Sequence, residues 1–540
     1  MTQTARQTTA DNPLDIVIVG AGFAGLYALQ RALTSGRQAV VIERGDGVGG
    51  TWYWNRYPGA RCDVQSMEYS YSFDAALQQE WSWTERYAAQ PEILEYANHV
   101  ADRFHLRPHI EFKRTVAKMV YLEDRKVWQT VTSDGANYFS RFCIMATGCL
   151  SSTNLPEFEG LNTFEGESYH TGQWPHHPVT FEGKKVGIIG TGSSAIQSIP
   201  IIAESCEHLT IFQRTPNYSI PAHNGPIDPD YVATIKNNYD DFRAQNKQMF
   251  AGFGAHQTRW DDSVFAADEA TREARFETRW QEGGLGFSSS FNDTGSNLEA
   301  NQIAAEFVRN KIRSQVDNKE TAELLCPDQV LGCKRVCVDT NYYATYNRPN
   351  VSLVSVKEHP IEAITPKGLV TGGQAYDFDM LIFATGFDAM TGTLSKIRIE
   401  GIEGLTLNEK WAEGPKTYLG LAVTGFPNLF TVSGPGSPSV LSNMIVTIEQ
   451  HINWIMNCLD HLASIEAGTI EATMEAETHW VTLGNDIAAG TLFPTCNSWY
   501  LGANVPGKPR IFMPYVGGFP SYAEICDQIQ REGYTGFSIR

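Results

Sequence analysis

The most restrictive feature of this chain is a unit that occurs twice: a short apolar strand, a glycine-rich turn and a helix. The first copy runs from Asp15-Ile-Val-Ile-Val19 through Gly20-Ala-Gly22-Phe23-Ala24-Gly25 into an Ala- and Leu-rich segment ending at Gly36. The second runs from Lys185-Val-Gly-Ile-Ile189 through Gly190-Thr191-Gly192-Ser193-Ser194-Ala195. That context lifts G-x-G-x-x-G above a chance match. Glycines permit the tight turn and let a pyrophosphate approach backbone N–H groups at the helix N-terminus, where the helix dipole favours negative charge. Alanine in place of the third glycine is tolerated where helix meets strand. Two copies imply an α/β chain with two Rossmann-like domains and two dinucleotides.

Further apolar runs at Ala39–Ile42, Phe142–Met145, Leu209–Phe212 and Met380–Phe383 suit parallel strands buried on both faces. Glu43 closes the strand after the first turn. Its carboxylate suits ribose hydroxyls and would repel a 2′-phosphate, so the first site is predicted to hold FAD or NAD rather than NADP. After the second turn that place is taken by Arg214 and Thr215, which suit a 2′-phosphate and predict NADPH over NADH. Ala146-Thr147-Gly148 and Ala384-Thr385-Gly386 each end an apolar strand near these sites. A chain of 540 residues with 42% hydrophobic content can bury several domain cores.

The predicted organisation is a discontinuous FAD-binding domain over 1–150 and 390–540, an NADP-binding domain over 151–223 and 331–389, and a helical insertion over 224–330. The insertion reads as scaffold or as a mobile cover over the substrate. With 42 Lys and Arg against 61 Asp and Glu, the net charge of −19 argues against nucleic acid or an anionic membrane as partner. The N-terminal residues are polar, and no apolar stretch reaches the roughly 18 residues of a membrane span, so a cytoplasmic location is expected. The ten cysteines include no C-x2-C pair, so no metal site is expected and all are read as reduced packing residues, Cys333 and Cys337 included.

Two long motifs give the chain a family. Phe164-Glu-Gly166-Glu-Ser-Tyr-His170-Thr-Gly-Gln-Trp174-Pro175 matches the fingerprint F-x-G-x-x-x-H-x-x-x-W-P/D throughout, and Gly49-Gly50-Thr51-Trp52-Tyr53-Trp54-Asn-Arg-Tyr57-Pro58-Gly59-Ala-Arg61-Cys62-Asp63 matches a second signature. In both, the chain resembles the Baeyer–Villiger monooxygenases. The resemblance continues through Gln213 to Pro216, Cys333 to Arg335, Ala384 to Asp388 and Ser498 to Gly507. The loop from Ser437 to Asn443 and the segment Trp83 to Tyr87 are more similar to the phenylacetone and steroid monooxygenase branch than to the cyclohexanone branch.

The resemblance implies conversion of ketones to esters or lactones with NADPH and O2, through a flavin C4a-peroxide that a fixed cation stabilises. Arg335 stands in that cation's position and Asp63 is its partner, while Lys334 adds charge near the 2′-phosphate and Trp499 lies against NADP. Trp52, Trp54 and Tyr69 are expected beside the flavin, with Gly50, Thr51, Tyr53, Arg61, Cys62 and Val116 on the same side. Met444 is expected on the substrate side, with Ser439, Val440 and Leu441 as pocket candidates. His170 is read as a domain-coupling residue, and no protein partner is implied. The competing reading is a flavin-containing monooxygenase that oxidises S or N atoms, whose fingerprint lacks the Trp174-Pro175 ending. A disulfide reductase would need a cysteine pair after Glu43, where Cys62 stands alone.

Overall fold

Each glycine-turn unit forms the centre of a parallel sheet. In the computed structural model, which describes residues 8–258 and 260–540, Leu14–Val19 lies between Ala39–Ile42 and Asn137–Met145, parallel to both. Ile110–Glu111 continues the sheet past Ala39–Ile42, and Leu429–Thr431 joins it beside Cys143 to Met145. The second sheet has the order Val351–Ser355, His208–Gln213, Lys185–Ile189, Met380–Phe383, Glu167–His170, and all its pairings are parallel. Both sheets share one plan. In each, antiparallel strands precede the strand that returns to flank the first: Val116–Leu122 and Val127–Thr132 in one, and a three-stranded sheet from Ile361–Thr365 to Gln374–Asp377 in the other.

The apolar runs end where the sequence predicts because helices cover both faces of the sheets. Ile16, Val17 and Ile18 are fully buried, and one core joins their sheet to helix Phe23–Thr34 and to the long helix Met444–Ser464. Between those two helices the Tyr27 hydroxyl donates to Asn453 Oδ1 at 2.7 Å.

The segment 224–330 is helical, with Pro229–Asn237, Tyr239–Lys247, Glu269–Glu282, Leu298–Gln315 and Lys319–Leu325. Asp228, Asp268, Asn297 and Asn318 cap four of these helices, each side chain accepting a backbone N–H of the first turn. Phe276, Phe287, Phe291 and Phe307 place the insertion in the same core as the second sheet. Arg243 ties it to the first: its guanidinium donates to Gln78 Oε1, the Glu68 carbonyl and Ser70 Oγ.

One sequence expectation is corrected. Cys333 is not a reduced packing thiol but is bonded to Cys496, 163 positions away, with 5.6 Å between the Cα atoms. The fold alone brings the two loops together, so local spacing carried no signal of the pair. Among the described residues no helix is long and apolar enough to cross a membrane.

Candidate active site

The first glycine turn is a cradle that only glycine fits. Gly20 has φ +104°, and a Cβ on Gly25 would stand 1.8 Å from the Gly20 carbonyl oxygen, so helix Phe23–Thr34 presses against the strand end. A Cβ on Gly50 would meet Gly22 Cα at 2.8 Å, which lays the second motif directly on the turn. No side chain caps this helix, whose first N–H groups are left for an anionic ligand. The residues fit FAD. Phe23 and Ala24 are buried behind the turn.

Glu43 has a second role that the sequence reading missed: its two carboxylate oxygens accept the Ala21 and Gly45 N–H groups, each at 2.7 Å, and so fix the turn. Beyond it, Thr51 is exposed, Trp52 and Tyr53 are buried, and the Arg44 guanidinium lies 4.3 Å from the centre of the Trp54 ring. The Trp52 indole donates to the Tyr69 hydroxyl at 3.2 Å. Arg61 pairs with Glu85 and the Tyr87 carbonyl, and Val116 is buried where its strand begins.

The second turn repeats this construction. Gly190 has φ +110°, Gly192 faces open space, and helix Ser193–Ser205 again lacks a side-chain cap. The Thr191 hydroxyl donates to the Thr215 carbonyl at 3.0 Å, and Ser194 shares a 3.1 Å hydrogen bond with Thr171 of the fingerprint. Arg214 is exposed and Lys334 is half-buried. Burial, and then the charge of Arg214, pulls the Lys334 pKa down. Two neighbouring cations fit a dianionic 2′-phosphate.

Between the turns lies the ion pair that the sequence predicts. Arg335 donates from Nε to Asp63 Oδ2 at 2.5 Å and from Nη2 to Asp63 Oδ1 at 3.0 Å, a two-pronged contact, and from Nη1 to the Val440 carbonyl at 2.5 Å. Burial opposes the guanidinium charge, but the charge and hydrogen bonds of Asp63 outweigh it and hold the pKa above its ordinary value. Burial also pushes up the pKa values of Cys62 and Cys149, so these thiols stay neutral and do not compete with Asp63. Cys149, Ala389, Met390, Val440, Tyr500 and Met513 form an apolar cluster beside the pair, with Leu441, Met444 and Trp499 packed against it.

Residues 14–221 match the flavin-binding monooxygenase-like family model. A steroid monooxygenase, solved oxidised and bound to NADP, is 48% identical with a TM-score of 0.93 over 98% of this chain and 99% of its own. The closed crystal structure of cyclohexanone monooxygenase is 40% identical with a TM-score of 0.95 over the same shares. A Baeyer–Villiger monooxygenase of Pseudooceanicola batsensis is 39% identical over 99% of this chain and 97% of its own. The chain belongs to the type I Baeyer–Villiger monooxygenases. It is an FAD- and NADPH-dependent oxidoreductase that converts ketones to esters or lactones.

In this monooxygenase His170 joins elements rather than facing the ion pair. Its Nδ1 accepts the Gly172 N–H at 3.0 Å and its Nε2 lies 3.2 Å from the Thr385 hydroxyl, which donates to the Asn154 carbonyl at 2.6 Å. Burial pulls its pKa down and keeps it neutral. The fingerprint histidine thus ties one crossing between the two sheets to the other. Sequence reasoning missed Tyr500, Met390 and Met513. Tyr500 follows Trp499 in a matched motif and was within reach; Met390 and Met513 carry no local signal, since a buried methionine is ordinary core.

Proposed function

We propose that the monooxygenase uses O2 to oxidise apolar ketones and that Arg335, held by Asp63, supplies the fixed positive charge of the oxygenation step. The observation that carries this reading is the Arg335 fork. Three of its five N–H donors are committed to Asp63 and the Val440 carbonyl, at the edge of an apolar cluster. The others remain to meet negative charge developing on oxygen, where little water competes. The carboxylate fixes the direction of the fork, and Val440 O fixes its distance from the loop that carries the pocket candidates.

The flavin is held, in this reading, by Gly20, Gly22, Phe23, Ala24, Gly25, Glu43, Gly50 to Trp54, Arg61 to Asp63, Tyr69 and Val116. NADPH is held by Gly190 to Ser194, Arg214, Thr215, Lys334, Arg335 and Trp499. When bound, the two cofactors supply hydride transfer and oxygen activation. The chain's own groups bind and orient them, keep water out through Met390, Met444, Tyr500 and Met513, and hold the guanidinium charged. Higher identity to the steroid monooxygenase than to cyclohexanone monooxygenase, 48% against 40%, supports the phenylacetone and steroid branch.

We assign 1–150 with 390–540 to the FAD-binding domain and 151–223 with 331–389 to the NADP-binding domain, with 224–330 inserted. Support comes from Arg398–Glu400 and Leu429–Thr431, which pair into the first sheet, and from Val351–Ser355 and Met380–Phe383, which pair into the second.

The test is mass spectrometry of products from the holoenzyme given NADPH, air, a sulfide and aryl, linear and cyclic ketones. The wild type yields esters or lactones. Arg335→Ala keeps its flavin and is still reduced by NADPH, while ester formation drops on the order of 10²–10³-fold, as for loss of one charge-stabilising donor. Ester yield equal to wild type would overturn the role of Arg335. Sulfoxide alone from the wild type would move the reading to heteroatom oxidation.

A further inference from the structure

Cys333 and Cys496 close a covalent link where none of the chemistry above requires one. Cys333 stands two residues before Arg335, in the irregular segment between Leu331 and Val336. Cys496 stands three residues before Trp499, at the start of the segment 496–510, which contains no strand and only one short helical turn. Further along, that segment is held non-covalently. Lys508 reaches Asp388 Oδ1 at 2.5 Å and the Ala389 carbonyl at 2.8 Å, and Asn504 donates to the Phe387 carbonyl at 2.7 Å. Within the segment Gly502 has φ +72° and Gly507 φ +76°. Among the described residues the disulfide is the only covalent join between the Arg335 loop and this segment.

We propose that Cys333 and Cys496 form a reversible thiol–disulfide site that locks the Trp499 segment onto the Arg335 loop when oxidised and releases it when reduced. The inference rests on the reading that Arg335 and Trp499 face NADP. The other eight cysteines have no disulfide partner.

With hydrogen peroxide as oxidant, the Cys333 thiolate attacks one peroxide oxygen; the O–O bond breaks, hydroxide leaves, and Cys333 becomes a sulfenic acid. The Cys496 sulfur then attacks the Cys333 sulfur, forming the S–S bond and releasing water. Two thiols lose two electrons and one peroxide becomes two waters. A dithiol reductant reverses the step by exchange and leaves as its own disulfide. Oxidised, the segment bearing Trp499 is tethered at both ends, and NADP+ leaves more slowly. Reduced, hydrogen bonds, the Lys508 ion pair and the packing of Trp499, Tyr500 and Leu501 hold it without a covalent anchor, and turnover is faster where product release limits the rate.

The test uses the holoenzyme, divided and treated with dithiothreitol or with hydrogen peroxide, each then removed. Non-reducing digestion and mass spectrometry should show a peptide joined through Cys333 and Cys496 only in the peroxide sample. Trypsin should cleave after the exposed Arg510 several-fold faster in the reduced sample, and ketone-dependent NADPH turnover should rise several-fold with it. Cys496→Ser and Cys333→Ser, made separately in case one misfolds, should behave as the reduced form after either treatment. Absence of the joined peptide after peroxide overturns the proposal. A joined peptide with unchanged trypsin cleavage and turnover does so equally. A reduced enzyme that consumes NADPH without forming ester would instead defeat the functional reading, while the peptide and trypsin results still decide the tether.

Discussion

Asp63 and Arg335 are 272 positions apart, and neither residue is unusual by itself. Their pairing is polar chemistry in a place lined by apolar side chains, where a two-pronged contact fixes direction as well as charge. With the two side chains 24% and 27% exposed, the pair lies between the surface and buried limits. Removing Asp63 therefore costs about 1–2 kcal/mol of stability at most and chiefly frees the fork to turn.

At the other nucleotide turn, Arg214 and Lys334 concentrate charge that a 2′-phosphate would neutralise. Arg214→Ala is expected to raise the KM for NADPH roughly 10- to 100-fold, the equivalent of one charged hydrogen bond of about 1.5–3 kcal/mol, and to leave the KM for NADH nearly unchanged. Steady-state kinetics with both nucleotides checks this. An equal rise for the two would show that Arg214 does not read the phosphate.

At the scale of elements, the loop between Leu429–Thr431 and helix Met444–Ser464 decides where the Val440 carbonyl stands. Ser433 and Ser439 adopt φ of +56° and +44°, left-handed conformations that a non-glycine residue keeps only when its surroundings impose them. His451 imposes one: its Nδ1 accepts the Ser433 N–H at 3.0 Å, so the ring proton sits on Nε2, facing the Tyr522 hydroxyl at 2.9 Å. Tyr522 in turn donates to the Leu419 carbonyl at 2.7 Å. A second ring proton would abolish the Ser433 bond.

Burial pulls the His451 pKa down to about 3. The folded value lies below the unfolded value of about 6.5, so the neutral ring contributes stability above that pH and loses it as pH falls through 6.5 toward 3. The loss is about 1.4 kcal/mol per pH unit in that window. Thermal unfolding midpoints should fall over this range in the wild type and fall less steeply in His451→Gln, which cannot titrate. Parallel acid limbs would show that another group governs the fall.

For the whole molecule, the insertion touches both nucleotide-binding units. It shares a core with the second sheet and reaches the first through Arg243, while the Gly254 N–H donates to Glu68 Oε1 at 2.8 Å. Arg243→Met leaves the Glu68 carbonyl, Ser70 and Gln78 without their buried partner and is expected to destabilise the protein by about 2–4 kcal/mol. A lower thermal midpoint, with flavin released at a correspondingly lower temperature, is the expected observation. An unchanged midpoint would mean that Arg243 contributes little to docking the insertion.

The sequence by itself determined the two nucleotide units, because glycine turns, strand runs and the residue closing the next strand are local features whose chemistry does not depend on distant partners. It also singled out Arg335 and Asp63 as partners, which the structure pairs, since their motifs stand at fixed places along the chain. The tertiary structure decided which groups meet: the fork on Val440, the second role of Glu43, the apolar cluster with Met390 and Met513, and the pairing of Cys333 with Cys496. Apart from those of Glu43, these contacts join loops far apart in sequence, 105 positions for Arg335 and Val440 and 163 for the two cysteines, and such meetings are set by how two sheets and an insertion pack, not by any pattern within one segment.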